Sequence, residues 1–215
     1  RYMVDNYVTN NPSQDNHLST LLIIKNGYVV FYKDYDNPGR RKLPDYLQGL
    51  PINSVTKSVA SAMIGIAQHE QKLMIDQTLY DYYPEYFDGK VDPRKKKINL
   101  KQLMTLSSGF EWVDDWEKNE NGMAYQWMSS SRPVKYLIDL PLSERKRNKF
   151  NYNTAASHAL SGILKKATKK PVNEYAQEKL FNPIGINPIS WTKIGGVSYL
   201  IVMTPEDMAR FGYLY

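Results

Sequence analysis

One hairpin near the start of the sequence constrains the fold most strongly. Two apolar runs, Thr20 to Lys25 and Tyr28 to Lys33, flank the dipeptide Asn26-Gly27. Asn-Gly between such runs is typical of a tight β-hairpin, because both turn residues must adopt a positive φ. An isolated two-stranded hairpin is only marginally stable in water, so we expect further strands to complete a sheet.

The sequence after the hairpin has a mostly helical pattern. Ser54 is a favoured N-cap residue, and apolar residues follow it at helical spacing. Further helices are predicted over residues 98–106, 133–140, 154–170 and 171–180, and Thr204 is the expected N-cap of a last helix, inside which the sequence stops. Because no other segment has a convincing strand pattern, we expect the chain to be a fragment whose remaining strands follow it.

The predicted organisation is a single, truncated domain over residues 1–215. Residues 20–53 form the hairpin and a lead-in, residues 54–200 form a helical region, and residues 201–215 begin the last helix. A turn is expected at Asn37-Pro38-Gly39, because Pro and Gly interrupt both helices and strands.

Composition and charge exclude several classes of protein. The 215 residues include no cysteine, which excludes thiol catalysis, disulfides and thiolate metal sites. The net charge is +6, and the basic runs Arg94 to Lys97 and Arg145 to Arg147 are interpreted as solvated loops. We recognise no nucleic-acid-binding module, and no apolar run approaches the roughly 20 residues that span a bilayer. The charge is compatible with a weak attraction to anionic polymers of a cell envelope.

The pattern Ser-x-x-Lys occurs three times, at Ser54/Lys57, Ser143/Lys146 and Ser190/Lys193. The second pair lies in a charged run without periodicity, and the third lies in loop-like sequence. Only Ser54 opens a predicted helix. Because residues i and i+3 share a helix face, the side chains of Ser54 and Lys57 can meet.

The placement of Ser54 permits two interpretations. In the first, Ser54 is a nucleophile: its backbone N–H at the helix start can bind an oxyanion, and a neutral Lys57 can accept its proton. In the second, Ser54 is an ordinary N-cap and Lys57 an ordinary surface residue. The spacing alone favours the second, because a motif without context is only a hypothesis.

Other catalytic patterns are weaker. The three histidines, His17, His69 and His158, show no metal-binding spacing, and no G-x-S-x-G elbow is present. The adjacent Asp114 and Asp115 are a poor candidate for a catalytic carboxylate pair. These patterns therefore do not compete with Ser54 and Lys57.

Several segments resemble one protein family. SVTKSVASAMIGIA, which begins at Ser54, resembles the first motif of the serine β-lactamase and penicillin-binding-protein superfamily, and above all class C β-lactamases and their esterase and amide-hydrolase relatives. Four more segments resemble the family's elements in family order: LIIKNGYVVFYKDY, INLKQLMTLSSGFEW, KFNYNTAASHALSGILKKATKKPVNEYAQEKLFNPIGI and MTPEDMARFGYLY. The resemblance implies an α+β fold, in which an antiparallel sheet is flanked by helices beside a mostly helical subdomain.

The resemblance also implies roles for individual residues. Ser54 matches the nucleophile, Lys57 matches its partner, and Tyr152 in NYNT matches the tyrosine of the second motif. That motif usually reads Tyr-x-Asn, whereas here Thr154 takes the third place and Asn153 stands one residue early. Thr154 and Asn153 are accordingly candidates for substrate binding, with a hydroxyl in place of the usual carboxamide.

Two further features bear on the candidate site. Trp112 is a candidate for substrate contact, and together with Trp116 and Trp127 it could line a cleft or pack in the core. The family's third motif, Lys-Thr-Gly or His-x-Gly on a late strand, does not occur here. The resemblance implies that this strand supplies the second oxyanion N–H.

The implied function is a serine hydrolase that forms an acyl-enzyme on an ester or amide. Peptidase, esterase or amidase activity is favoured, because Thr154 counts against β-lactamase activity. The alternatives are a catalytically weak module that binds penicillin or cell-wall peptide, a true class C-like β-lactamase, and a basic surface-binding protein acting through residues 94–97. The chemistry needs no metal or cofactor. The expected partner is a small-molecule or peptide acyl substrate, β-lactams included, and not nucleic acid; the implied location is the envelope or exterior of a bacterium.

Overall fold

The computed structural model describes residues 18–35, 49–116, 122–187 and 189–215. The strands are β1 (Thr20–Lys25), β2 (Tyr28–Asp34), β3 (Leu50–Pro51), β4 (Ser190–Ile194) and β5 (Val197–Met203). The α-helices are α1 (Thr56–His69), α2 (Leu79–Tyr82), α3 (Leu100–Met104), α4 (Met123–Ser129), α5 (Pro133–Asp139), α6 (Thr154–Thr168), α7 (Val172–Ala176) and α8 (Pro205–Gly212). This mixed composition confirms the predicted α+β class.

The chain divides into two compact units. One contains the described residues up to Pro51 together with Val202–Tyr215, and the other is Ile52–Ile201. The prediction of one domain over residues 1–215 stays a prediction, because compact units and evolutionary domains need not coincide.

The smaller unit contains the predicted hairpin. β1 and β2 pair antiparallel, with a bulge between Ile23 and Ile24. Asn26 and Gly27 have φ of 52° and 80°, as a type I′ turn requires. Helix α8 packs against β1 and has the predicted N-cap, since the hydroxyl of Thr204 accepts a hydrogen bond from the N–H of Asp207 at 3.1 Å. The helix ends at Gly212, so the prediction that the sequence stops inside it is wrong.

The larger unit is organised around α6. Twelve of its fifteen residues are buried, and α1, α3, α4, α5 and α7 all pack against it. The residue after α2 also approaches closely, since a Cβ on Gly162 would overlap with the hydroxyl of Tyr83. Because α6 is buried on nearly all sides, its packing fixes the positions of the residues at its two ends.

A second hairpin lies where the sequence analysis predicted loop. β4 and β5 are neighbouring strands joined by Gly195 and Gly196, whose φ values are 55° and 76°. β5 crosses from the larger unit into the smaller one, where Val202 and Met203 pair with β3. The expectation that this sequence holds no further strands is therefore wrong.

The basic run at residues 94–97 is not a solvated loop throughout. It forms a short 3-10 helix, Pro93–Lys97, in which Asp92 accepts a hydrogen bond from the N–H of Arg94. Lys95 is 4% exposed, and its amine donates to the carbonyl oxygen of Ile138 at 2.7 Å.

The turn predicted at Asn37-Pro38-Gly39 lies outside the described residues, as does His17. Across the described ranges, no helix has the length and apolarity that crossing a membrane requires.

Candidate active site

Ser54, Lys57 and Tyr152 meet through their side chains. The Ser54 Oγ lies 2.5 Å from the Tyr152 hydroxyl oxygen, and the Lys57 amine donates a hydrogen bond to the same Oγ at 3.1 Å. The Lys57 amine also lies 4.7 Å from the centre of the Tyr152 ring. Ser54 is exposed, whereas Lys57 and Tyr152 are half-buried. One solvent-accessible hydroxyl is thus held between a primary amine and a phenol.

Ser54 does not cap helix α1, contrary to the sequence interpretation. It lies in a 3-10 turn, Asn53–Val55, directly before α1, and no side-chain cap hydrogen bond is formed at either helix start. Its hydroxyl is instead engaged by Lys57 and Tyr152. Asn53 has a φ of 43°, in the left-handed region that asparagine tolerates better than most residues. This residue directly precedes Ser54 in the 3-10 turn.

Tyr152 is positioned by the segment that leads into α6. The N–H of Asn151 donates to the carbonyl of Leu106 at 2.8 Å, and the Asn151 side-chain amide donates to the carbonyl of Trp112 at 3.3 Å. On the other side of Tyr152, Asn153 is the N-cap of α6, with its side-chain oxygen accepting from the N–H of Ala156 at 2.9 Å. Tyr152 is therefore held between an anchored loop and a capped helix.

Asp114 supports the site through hydrogen bonds, a role that was not predicted from the sequence, where it stood only as half of a poor candidate for a carboxylate pair. Its carboxylate accepts hydrogen bonds from the indole N–H of Trp112 at 2.8 Å, the indole N–H of Trp116 at 3.0 Å and the backbone N–H of Thr154 at 3.3 Å. The only signal was an aspartate two residues from each of two tryptophans. Three donors on one carboxylate tie the 112–116 segment to the start of α6, two residues after Tyr152.

The three candidate substrate-binding residues make contacts inside the protein. Asn153 is 1% exposed and caps α6, while Thr154 is 4% exposed and its carbonyl accepts from the hydroxyl of Tyr199 at 3.5 Å. Trp112 is 2% exposed, with its ring edge-on to Trp127 at 6.1 Å. The structure does not join these three side chains to the Ser54 hydroxyl by any hydrogen bond among the described residues, and a substrate contact for them stays a prediction.

An aromatic cluster supports the start of α6 from within the core. The ring of His158 lies 5.3 Å from each of the rings of Trp127 and Tyr199, with edge-on geometry. Burial lowers the pKa of His158 to about 4 and raises the pKa of Tyr199. Both side chains are therefore neutral at physiological pH and act as packing residues.

The other two Ser-x-x-Lys pairs do not form comparable sites. The Lys146 amine pairs with the carboxylate of Glu111 at 3.0 Å, and Ser190 and Lys193 lie on strand β4. Among the described residues, no three His, Cys, Asp or Glu side chains are grouped so that they could hold a metal ion. Context therefore distinguishes Ser54 from the two pairs that share its spacing.

Solved structures with the same fold support the sequence resemblance. FmtA from Staphylococcus aureus has a TM-score of 0.69 at 18% identity, over 99% of this chain and 63% of that one. A β-lactamase/D-alanine carboxypeptidase from Yersinia pestis has a TM-score of 0.63 at 19% identity, over 90% of this chain and 61% of that one. A class C β-lactamase from Rhodobacter sphaeroides has a TM-score of 0.67 at 14% identity, over 98% of this chain and 63% of that one.

The solved structures show the fold, and a family model shows the family. The chain spans somewhat over three fifths of the length of each of these structures. A search of curated proteins finds no match to the sequence. The family model described as Beta-lactamase, however, matches residues 13–214, which is nearly the whole chain. This chain belongs to the β-lactamase family.

Proposed function

We propose that this chain carries the acyl-transfer site of a serine hydrolase, with Ser54 as the nucleophile. One observation carries the proposal: the exposed Ser54 Oγ is within hydrogen-bond distance of both the Lys57 amine and the Tyr152 hydroxyl. A serine hydroxyl is a weak nucleophile until an adjacent base takes its proton, and two candidate proton carriers are in place here.

Acylation follows from this geometry. The Ser54 Oγ attacks the carbonyl carbon of an ester or amide, and its proton passes to the Lys57 amine directly or through Tyr152. The carbonyl electron pair moves onto oxygen, where the backbone N–H of Ser54 in the first helical turn can donate to the oxyanion. When the tetrahedral intermediate collapses, the bond to the leaving group breaks and Tyr152 delivers the proton to it.

Deacylation reverses these roles. A water molecule attacks the acyl carbon while the Tyr152–Lys57 pair accepts one of its protons. The bond from the acyl carbon to Ser54 Oγ breaks, and the serine recovers its proton from the same pair. The acid is released and the site returns to its starting state.

The substrate class in this proposal is an ester, a linear amide or a short peptide, in a bacterial cell envelope. The departure from Tyr-x-Asn supports this preference over β-lactams. The carboxamide of Asn153 caps α6, and the position that usually carries the carboxamide holds the buried Thr154. The Yersinia pestis neighbour is described as a D-alanine carboxypeptidase as well as a β-lactamase, so a peptide ending in D-alanine belongs among the probes.

The test compares Ser54→Ala and Tyr152→Phe with the unchanged protein. Turnover of a chromogenic short-chain ester and of a D-alanine-terminated peptide is measured, and a fluorescent penicillin reports covalent labelling. We expect Ser54→Ala to abolish labelling and to lower kcat by about a thousandfold or more. Tyr152→Phe keeps the ring over Lys57 but removes the proton carrier, so kcat should fall by roughly 10²–10⁴.

Ser58→Ala is the matched control, because Ser58 is an exposed serine in the first turn of α1, four residues after Ser54. It should retain full activity. Equal labelling of the unchanged protein and Ser54→Ala, or an equal loss of activity in Ser58→Ala, would contradict the proposal. Labelling at Ser54 without turnover of any substrate would favour the binding module.

A further inference from the structure

A second concave site lies in the larger unit, apart from Ser54. It is a cavity of about 520 Å³, formed by the C-terminal half of α6, the Tyr83–Tyr86 segment, the start of α5 and the β4–β5 turn. Ser54, Lys57 and Tyr152 are not among its lining residues. Its volume falls in the range of roughly 300–1,000 Å³ that is typical of small-molecule sites.

Among the described residues, five cationic side chains and no carboxylate line the cavity, together with aromatic and apolar side chains. The cations are Arg132, Lys165, Lys166, Lys169 and Lys170. Two are neutralised from outside the lining: Lys166 pairs with Glu85 at 2.9 Å and Lys170 with Glu178 at 2.5 Å. The other three have no carboxylate partner within the part of the chain that the structure describes. A concave surface with three uncompensated positive charges concentrates anions.

The walls are built by close contacts. A Cβ on Gly195 would overlap with the ring of Pro133, and a Cβ on Gly162 would overlap with the hydroxyl of Tyr83. Tyr83 is 6% exposed and stacks on Tyr86, with ring centres 5.5 Å apart. The cavity is therefore a preformed feature of the packing between α6, α5 and the β4–β5 turn.

One buried acceptor without a partner also belongs to this lining. His158 is fully buried and lines the cavity, and its Nε2 lies 3.0 Å from the carbonyl oxygen of Ile194. A carbonyl can only accept, so Nε2 carries the proton and Nδ1 is left as an acceptor. Within the described residues Nδ1 has no hydrogen-bond partner. Because no part of the ring is exposed, this acceptor is not open to the cavity, and no ligand contact is assigned to it.

We propose that this cavity binds a phosphate monoester. At neutral pH such a phosphate has a charge of about −1.5 to −2 and three strong acceptor oxygens, which suits three free cationic side chains. The guanidinium of Arg132 can bind two of these oxygens in parallel, and Lys165 and Lys169 supply further charge. The remaining volume accommodates the organic part of the ligand.

The test is calorimetric titration at low salt with glucose 6-phosphate, inorganic phosphate and glucose. We expect saturable binding of glucose 6-phosphate, at least about tenfold weaker binding of inorganic phosphate, and none of glucose. The double variant Lys165→Ala/Lys169→Ala should weaken glucose 6-phosphate binding by about tenfold or more, since it removes two exposed charges and no buried contact. Vesicles containing phosphatidic acid test whether a lipid monoester binds instead of the soluble one.

The control variant is Lys97→Ala/Lys101→Ala, which removes the same charge from exposed lysines outside the cavity. It should leave the affinity unchanged. No saturable binding of either monoester, or an equal loss of affinity in the two double variants, would overturn the proposal. The titrations measure binding and not activity. A failure of the cavity proposal would therefore be distinguishable from a failure of the proposed hydrolase function.

Discussion

Individual hydrogen bonds determine the geometry of the candidate site. Tyr152 is placed by the backbone hydrogen bond of Asn151 and by the cap that Asn153 provides. Asp114 also holds the start of α6, because its carboxylate accepts a hydrogen bond from the backbone N–H of Thr154. A change of one hydrogen-bonding atom in this set should therefore move or loosen the phenol that contacts Ser54.

Asp114→Asn provides a direct measure of this support. The substitution keeps the size of the side chain but points an amide N–H₂ towards N–H donors, so at least one donor loses its acceptor. We expect the free energy of unfolding to fall by about 1–3 kcal/mol, measured by urea denaturation with tryptophan fluorescence. Asp76→Asn, on an exposed aspartate, is the control and should change little. Equal stability of the two variants would show that the three hydrogen bonds contribute nothing.

The sequence predicted the candidate catalytic residues better than the residues that support them. Ser54, Lys57 and Tyr152 were predicted because a family motif has fixed residue types at fixed spacing, and the structure brings their side chains together. Asp114 was missed because its three donors come from positions 112, 116 and 154, and only folding brings the last of these near. The cap role assigned to Ser54 was wrong, because a tertiary contact with Tyr152 took the hydroxyl that local geometry would have used.

At the scale of elements, α6 controls the packing of the larger unit. Five other helices pack against it, and a Cβ on Gly162 would overlap with the hydroxyl of Tyr83, which directly follows α2. A glycine in a helix interior normally costs stability relative to alanine. Its presence here is explained by the Tyr83 hydroxyl, which occupies the place of a side chain.

Gly162→Ala and Gly65→Ala should therefore have opposite effects. The added methyl at 162 overlaps with Tyr83, so we expect a loss of about 1–3 kcal/mol in the free energy of unfolding. Gly65 lies on an exposed face of α1 with no atom within 4 Å of the added Cβ, so alanine should stabilise the protein by up to about 1 kcal/mol. Thermal or urea unfolding of both variants gives the comparison. A stabilising Gly162→Ala would contradict the close contact.

The strands and helices could be predicted from the sequence where residues close together in the chain determine the structure. Asn26-Gly27 specifies its own turn, so the first hairpin was found with nearly correct ends. The second hairpin was missed because β4 contains Thr192 and Lys193 and is short, and because a continuous apolar run such as β5 does not distinguish a strand from a buried helix. The identity of these strands depends on their pairing with each other and with β3.

For the molecule as a whole, one buried histidine sets a pH dependence of stability. Burial lowers the pKa of His158 from 6.5 to about 4. Above pH 6.5 the residue is neutral in both the folded and the unfolded chain, and no stability is lost. As the pH falls below 6.5, the unfolded chain binds a proton that the folded chain does not, so the free energy of unfolding falls until the folded pKa is reached. The loss totals about 3 kcal/mol.

This expectation is tested by measuring the free energy of unfolding in urea at a series of pH values between these two pKa values. His158→Gln removes the titrating group, so its stability should depend less on pH than that of the unchanged protein, whatever its absolute stability. His69→Gln, at the end of α1, is the control and should keep the original dependence. An unaltered pH slope in His158→Gln would assign the effect to other groups.

The buried amine of Lys95 gives the molecule an internal reporter. Lys96 and Lys97 are exposed beside it, whereas the Lys95 amine is held against the last turn of α5 by the carbonyl of Ile138. Reagents that acylate amines must reach the nitrogen, so they will modify Lys95 only when this contact opens. The ratio of its labelling rate to that of its two neighbours therefore measures how often the contact between the basic run and α5 separates in the native protein.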